Sequence, residues 1–369
     1  MDSSAASVSM KHLVSASLLR DAKANRLEES LAELRGASKL WQGKQQHKAT
    51  LARIERSGEA KPQVEAGGAR GLTPGRLENW VAEPEGLTCV MLTEALRGSG
   101  VLGKDHTVKG IASHVLEAGA GYLSKILIID SVDYDGEDVP AGAPAKLVVK
   151  FGTKFPPSQA VAQFMGLYKT EGSFYLEAAH RINVRMPLCY GVAVSEDGAE
   201  TMIVMENINQ PDLYGGDQVK GCTVTEAKLV LLELAKFHAY SFGRCQERGM
   251  DWAPPFDAPH IGPQQAKMFA DGLKKVEGIC PPHLYDDEAR ELVALIAQYT
   301  VEEHVHRCMQ GPQVVGHGDL RLDNVFFQRE QGAAEPHGLV MYDFQILNRG
   351  GVLVALHDLT YFVGGNMDT

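Results

Sequence analysis

The chain of 369 residues has no apolar run near the roughly 20 residues that cross a bilayer. Its longest, beginning at Leu229, is broken by Glu233. It lacks a surplus of positive charge. With 36 Lys and Arg against 47 Asp and Glu the formal charge is −11, which argues against non-specific nucleic-acid binding. It has only six cysteines, scattered with no CxxC pair, and a chain this long needs no disulfide staples. That predicts free, mostly buried thiols in a reducing compartment, and a cytoplasmic protein. The first twenty residues lack a continuous apolar core, so a secretory leader is not expected. Organelle targeting by the Ser-rich, basic start is the alternative, and Asp2 and Asp21 weigh against it.

What is present is unevenly distributed. Residues 1–75 are rich in Ala, Ser, Glu, Gln and basic residues, with few aromatics, and residues 1–70 carry 12 basic and 8 acidic side chains. A helical Leu spacing in "LLRDAKANRLEESLAELR" and a Gly-rich stretch after it read as a disordered or partly helical tail and linker. From residue 76 the texture changes. "LTCVMLTEALRGSG" reads as an amphipathic helix ended by glycine. "SHVLEAGAGYLSKILIIDSVDY" reads as strand, tight turn, strand, and "APAKLVVKFG" as another strand. "SQAVAQFMGLYKTEGSFYLEAAHRI" is a long helix or a helix pair, and "GVAVSEDGAETMIVMENI" a hairpin turning at Glu196–Gly198. After Gln210 helices dominate. "TVTEAKLVLLELAKFHAYSFG" opens on a Thr with Glu three residues on, a capping box, and "DDEARELVALIAQYTVEEHVHRC" reads as one further long helix. Strands first and helices second predict an α+β, two-lobed arrangement. The expected parts are a tail (1–75), an N-lobe that binds nucleotide (76–208) and a C-lobe (209–369).

Residues 314–327, "VVGHGDLRLDNVFF", place His317, Asp319 and Asn324 in a polar loop between two apolar strands. A second carboxylate, Asp343, follows the apolar run of "LVMYDFQ". An amide oxygen and a carboxylate at strand ends are hard ligands suited to Mg²⁺, which binds phosphate oxygens at the same time. Asp319 is then free to accept or orient a hydroxyl proton. Taken singly, an Asp in a turn is more often a cap and a buried His more often a packed ring; the ordered combination points to chemistry. His304, His306 and Cys308 form no metal site by this reading, because helical positions two apart face different ways. "GHGD" also shares a GD pair with metallophosphatases, but their further clusters are missing.

"HGDLRLDN" followed by "YDFQ" resembles the aminoglycoside phosphotransferase and choline kinase-like branch of the protein-kinase-like fold, and within it the ecdysteroid kinase-like group. "EAGAGYLSKI", "KLVVKFG", "EGSFYLEAA", "MIVMENI" and "LAKFHA" extend the likeness, in order, over roughly residues 85–365. The resemblance implies a two-lobed kinase-like fold and transfer of the γ-phosphoryl group of ATP, with Mg²⁺, to a small-molecule hydroxyl. It implies Asp319 as catalytic base, with Lys150, Glu171, His317 and Arg321 in the catalytic set. Asn324 and Asp343 would be the metal ligands. Gly119 and Gly121 would turn over the phosphates, Lys150 would hold them, and Met205, Glu206 and Ile208 would form the hinge at adenine. Glu171 stands three before Phe174, as the family pattern asks; Glu177 is the competing glutamate. Gly318 stands where protein kinases put an arginine that reads a phosphorylated loop, and Gln345 replaces the last glycine of their DFG, so a small acceptor is expected rather than a protein. Relatives continue with further helices beyond the position of Thr369, so an incomplete C-lobe is expected. A nucleotide-binding pseudokinase or scaffold is the alternative function. The identity of the acceptor is not written in these motifs.

Overall fold

The computed structural model describes residues 72–116, 123–281, 285–299 and 303–366. The expected tail helix and the glycine turn with Gly119 and Gly121 lie outside them.

The first half is built on a six-stranded sheet. It contains β1 (Gly75–Arg76), β2 (Thr107–Val115), β3 (Ser124–Asp135), β4 (Leu147–Gly152), β5 (Cys189–Val194) and β6 (Thr201–Glu206), in the order β1-β5-β6-β4-β3-β2. All neighbours are antiparallel except β1 and β5. The side-chain period of two divides β4 between two cores. Leu147, Val149 and Phe151 join Met202, Val204 and Ile129 against helix α1 (Cys89–Gly98), whose Leu92, Ala95 and Leu96 are fully buried. Thr88 caps α1, its hydroxyl accepting from Met91 N. The alternate residues Val148 and Lys150 face the other way, as Ile203 and Met205 do on β6. The hairpin turn falls where the sequence put it. Gly198 adopts φ 75°, and Asp197 Oδ1 accepts from Ser195 Oγ and Ala199 N.

The helix pair read from one stretch is α2 (Pro156–Phe164) and α3 (Leu167–Glu177), parted at Gly166 with φ 66°. Helix α3 carries Phe174 and Tyr175 into the second core, with Phe237 on α4 (Val224–Ser241). The capping box on α4 is present: Thr223 and Glu226 exchange side-chain and backbone bonds. Of the expected long helix of residues 286–308, the described residues include α6 (Asp287–Tyr299) and α7 (Val305–Cys308). Elements that carried no clear signal include β1, which lies in the stretch read as linker, β7 (Leu213–Gly215), the 18-residue helix α5 (Gly262–Ile279) and β11 (Asn348–Gly350). Strands β10 (Gly338–Met341), β9 (Val325–Gln328) and β7 make a small antiparallel sheet, while β11 pairs with β8 (Val314–Gly316). Helix α8 (Val352–Asn366) follows, burying Val354, Asp358, Phe362 and Asn366 at four-residue spacing.

Residues 269–299, the latter part of α5 and all of α6, belong to a different compact unit from the rest of the described residues. Within it the Arg290 guanidinium lies 5.7 Å from the Tyr285 ring centre and 2.5 Å from Asp287. Among the described residues no helix is long and apolar enough to cross a membrane. The architecture is α+β, strand-rich then helix-rich, as the sequence pattern predicts.

Candidate active site

Strand β4 is apolar on both faces, so Lys150 needs an anion where it stands. It has two. Its Nζ lies 2.9 and 2.8 Å from the two Glu171 carboxylate oxygens and 2.8 Å from Asp343 Oδ1. Lys150 and Glu171 are buried. Of the two candidate glutamates, Glu171 is therefore the one that meets the lysine. Burial alone would push the ammonium down, but Asp343 and Glu171 outweigh it and hold it above its ordinary value. Burial raises the Glu171 carboxyl, helped by Asp343 and opposed by Lys150. Asp343 goes the other way: Lys150 overcomes burial and keeps it below the usual range. Asp343 sits at φ 66°, a left-handed conformation that Asp tolerates better than most residues. Its neighbour Phe344 is fully buried, with its ring centre 4.3 Å from that of Phe174 and 5.1 Å from that of His317. The motif phenylalanine thus locks the Asp343 turn to the helix that carries Glu171.

The polar loop runs from β8 to β9. Its backbone is held by Asp358 of α8, whose Oδ2 accepts from His317 N at 2.6 Å and whose Oδ1 accepts from Gly318 N at 2.8 Å. His238 Nε2 of α4 is 2.8 Å from the same Oδ2. Burial opposes the Asp358 charge, yet the His238 bond and the loop N–H groups keep its carboxyl below the ordinary value. Gly318 takes φ 81°, and a Cβ there would strike the Ile346 carbonyl oxygen. The absence of an arginine at this position has a steric cause here. His317 is fully buried; Asp319 N donates to its Nδ1 at 3.4 Å and its Nε2 is 3.3 Å from Tyr342 O. That pattern fixes a neutral ring with the proton on Nε2, and burial lowers its pKa in the same sense.

Asp319 is where the loop's donors converge. Asn324 Nδ2 donates to Asp319 O at 2.8 Å and to Oδ2 at 3.3 Å. Arg321 Nε is 3.5 Å from the same Oδ2, and Arg321 Nη1 donates to Asp323 at 3.4 Å. Tyr361 of α8 donates to Oδ1 at 3.1 Å. Burial raises the Asp319 carboxyl above its usual value despite these partners. With Nδ2 turned to Asp319, the Asn324 amide oxygen has no donor among the described residues. Asn324 and Asp343 belong to one end of the β9–β10 hairpin, where Tyr342 N donates to Asn324 O at 3.1 Å. Gln345 Nε2 reaches Asp343 Oδ2 at 3.4 Å. No group of three or more His, Cys, Asp or Glu forms a metal cage among the described residues.

At the end of β6, Met205 is buried and Ile208 O accepts from Gln210 N at 2.9 Å. Glu206 is fully engaged by its own chain. Arg185 grips it through two nitrogens at 2.8 and 2.6 Å, and Leu188 N donates to it at 3.0 Å. Arg185 carried no sequence signal, since it lies outside every motif. Asp358 and Tyr361 lie in a stretch with family likeness but were given no site role, and Asn366 was missed. Asn366 Oδ1 accepts from Leu322 N at 2.9 Å, so α8 touches the loop at three places.

Residues 118–369, more than half of the chain, match the model of the ecdysteroid kinase-like family. No curated protein matches at comparable stringency. Solved structures similar to this one include a provisionally assigned aminoglycoside phosphotransferase from Ralstonia eutropha, 15% identical with a TM-score of 0.44, over 73% of this chain and 68% of that one. The GDP and kanamycin complex of APH(2″)-IIIa is 14% identical with a TM-score of 0.44, over 76% and 80%. The GDP complex of wild-type aminoglycoside 2′-phosphotransferase-IIIa is 15% identical with a TM-score of 0.42, over 70% and 73%.

Proposed function

Because the chain belongs to the ecdysteroid kinase-like family, we propose that it transfers the γ-phosphoryl group of ATP, with Mg²⁺, to a hydroxyl of a small molecule. The observation that carries this reading is the Lys150 ammonium, 2.8 Å from Asp343 and 2.8 Å from Glu171. A buried cation shared by two carboxylates from distant parts of the chain is a poor device for stability alone. It is a good one for presenting positive charge to phosphate oxygens beside a metal ligand.

The residues fit a magnesium ion. Asn324 offers an amide oxygen without a donor among the described residues, Asp343 offers a carboxylate held ionised, and Mg²⁺ would not need a full protein cage, since it commonly keeps waters and phosphate oxygens. When bound, the ion would neutralise charge on the phosphate oxygens. Every other part is supplied by side chains. Glu171 fixes the Lys150 ammonium, which holds the nucleotide phosphates. Asp319 accepts the proton of the acceptor hydroxyl as the phosphoryl group leaves ADP. Its carboxylate is oriented by Asn324 and Tyr361, and Arg321 offsets its charge. His317, neutral and buried, braces the loop backbone between Asp319 and Tyr342. Met205, Glu206 and Ile208 line the adenine side, where the backbone reads the base and Glu206, tied to Arg185, shapes the hinge. Gly119 and Gly121, outside the described residues, are assigned to the phosphates by the resemblance alone. The catalysis is positioning and charge neutralisation.

The test is Asp319→Asn. With Mg·ATP and a panel of alcohols, the variant should bind nucleotide as the wild type does while ADP release drops to background. A variant that keeps its turnover refutes the role of Asp319, and with it the reading.

A further inference from the structure

We propose that Tyr361 is a positioning residue for Asp319, its phenol holding the carboxylate so that one oxygen faces the incoming acceptor. This rests on the reading of Asp319 as base.

Asp319 Oδ2 is taken up from within its own loop, by Asn324 Nδ2 at 3.3 Å and Arg321 Nε at 3.5 Å. Oδ1 has one donor among the described residues, the Tyr361 hydroxyl at 3.1 Å. The two oxygens are therefore held from different elements, one by the loop and the other by α8. That fixes the rotation of the carboxylate plane, which the loop donors, at 3.3 and 3.5 Å, restrain only weakly on their own. A carboxylate oxygen has two lone pairs, so Oδ1 can keep the phenol and still accept the acceptor hydroxyl.

Two features make Tyr361 a rigid guide. Helix α8 is itself fixed to the loop on either side of it, by Asp358 on His317 N and Gly318 N and by Asn366 on Leu322 N. The phenol ring is also stacked on His357, with ring centres 6.0 Å apart and planes 7° from parallel. Tyr361 is 38% exposed and the Asp319 side chain 19%. Both partners are thus partly open to solvent, as an acceptor that must reach Asp319 requires. The neighbouring Thr360 turns its hydroxyl to Leu356 O instead, at 2.9 Å, and takes no part in the loop.

Tyr361→Phe removes one oxygen and keeps the ring and its stacking. The experiment measures ADP release with Mg·ATP, in water and with the alcohol panel, for the wild type, Asp319→Asn, Tyr361→Phe and Thr360→Val, together with ATP affinity and melting temperature. The expected result for Tyr361→Phe is a kcat about 10- to 100-fold lower with KM for ATP and melting temperature unchanged, as misplaced reacting groups cost rate rather than binding. Thr360→Val should behave as wild type. A Tyr361→Phe variant with wild-type kcat, while Asp319→Asn is inactive, overturns the inference and leaves the kinase reading intact. So does a variant whose rate loss is matched by a lower melting temperature or a weaker ATP affinity, which marks a structural role. A wild-type chain that releases no more ADP than Asp319→Asn overturns the kinase reading and this inference with it.

Discussion

Replacing Lys150 by methionine tests the buried triad directly. Each Lys150–carboxylate approach of 2.8 Å corresponds to about 6 kcal/mol of gross attraction at an effective dielectric of about 20. Taking the charges out of water costs several kcal/mol per ion, so most of that attraction is offset and the intact triad contributes little net stability. Removing the cation is different. It leaves Glu171 and Asp343 as close, uncompensated negative charges, one of them wholly buried. The expected loss is about 3–5 kcal/mol, the range for breaking a buried pair on one side. Glu171 provides relief, because its carboxyl already sits above its usual value and rises further without Lys150. A carboxyl whose folded pKa is raised binds protons better when folded. The deficit of Lys150→Met against wild type should therefore be smaller at pH 5 than at pH 8. Urea unfolding at the two pH values measures this. Adding Glu171→Met should restore much of the loss, since an apolar pair can replace a buried ionic one. A Lys150→Met protein within about 1 kcal/mol of wild type, with Glu171→Met costing the same in both backgrounds, would refute the coupling.

Three further outcomes follow from the loop and the hinge. Asp358→Asn should lower stability by about 3 kcal/mol at pH 7, since it removes the charge that His317 N, Gly318 N and His238 meet. Its folded pKa is depressed, so its contribution is complete above the unfolded carboxyl value of about 3.9. That contribution is lost as pH falls through the lower folded value, and the gap between variant and wild type should close in acid unfolding curves. Gly318→Ala should cost more than about 2 kcal/mol and abolish turnover, because the left-handed backbone and the Ile346 carbonyl leave no room for a Cβ; a melting temperature unchanged from wild type would contradict it. On the proposed role of Glu206 at an adenine hinge, Arg185→Ala should weaken ATP binding severalfold by freeing that side chain, which isothermal titration would read as a higher Kd with little change in kcat.

Much of this was legible in the sequence because local and global signals agreed. Lys150 in an apolar strand advertised a need for an anion, and the ExxFY spacing picked Glu171 over Glu177; Glu171 Oε1 accepts from Lys150 Nζ at 2.9 Å. The capping box at Thr223 and the turn at Gly198 are short-range features, and they appear where their residues stand. What was missed depends on distance along the chain. Asp358 meets His317 and Gly318 across about 40 residues, and Arg185 meets Glu206 only because β5 and β6 pair. Strands β7 and β11 are three residues long, too short for alternation to be seen. Helix α5 has Gly262, Pro263 and Gly272 in it, residues that mask a helical period. Gly318 was read as the loss of a regulatory arginine, whereas its geometry shows a backbone demand that excludes any side chain.

The amide hydrogens of His317 and Gly318 end on a carboxylate that is itself sealed inside the protein. For either to exchange with solvent deuterium, Asp358 must give up that amide while its buried charge keeps only His238 and the other amide, so the opening is costly. The segment that bears Asp319 should thus be among the last to exchange, with any adjustment to a ligand made by neighbours that move around it.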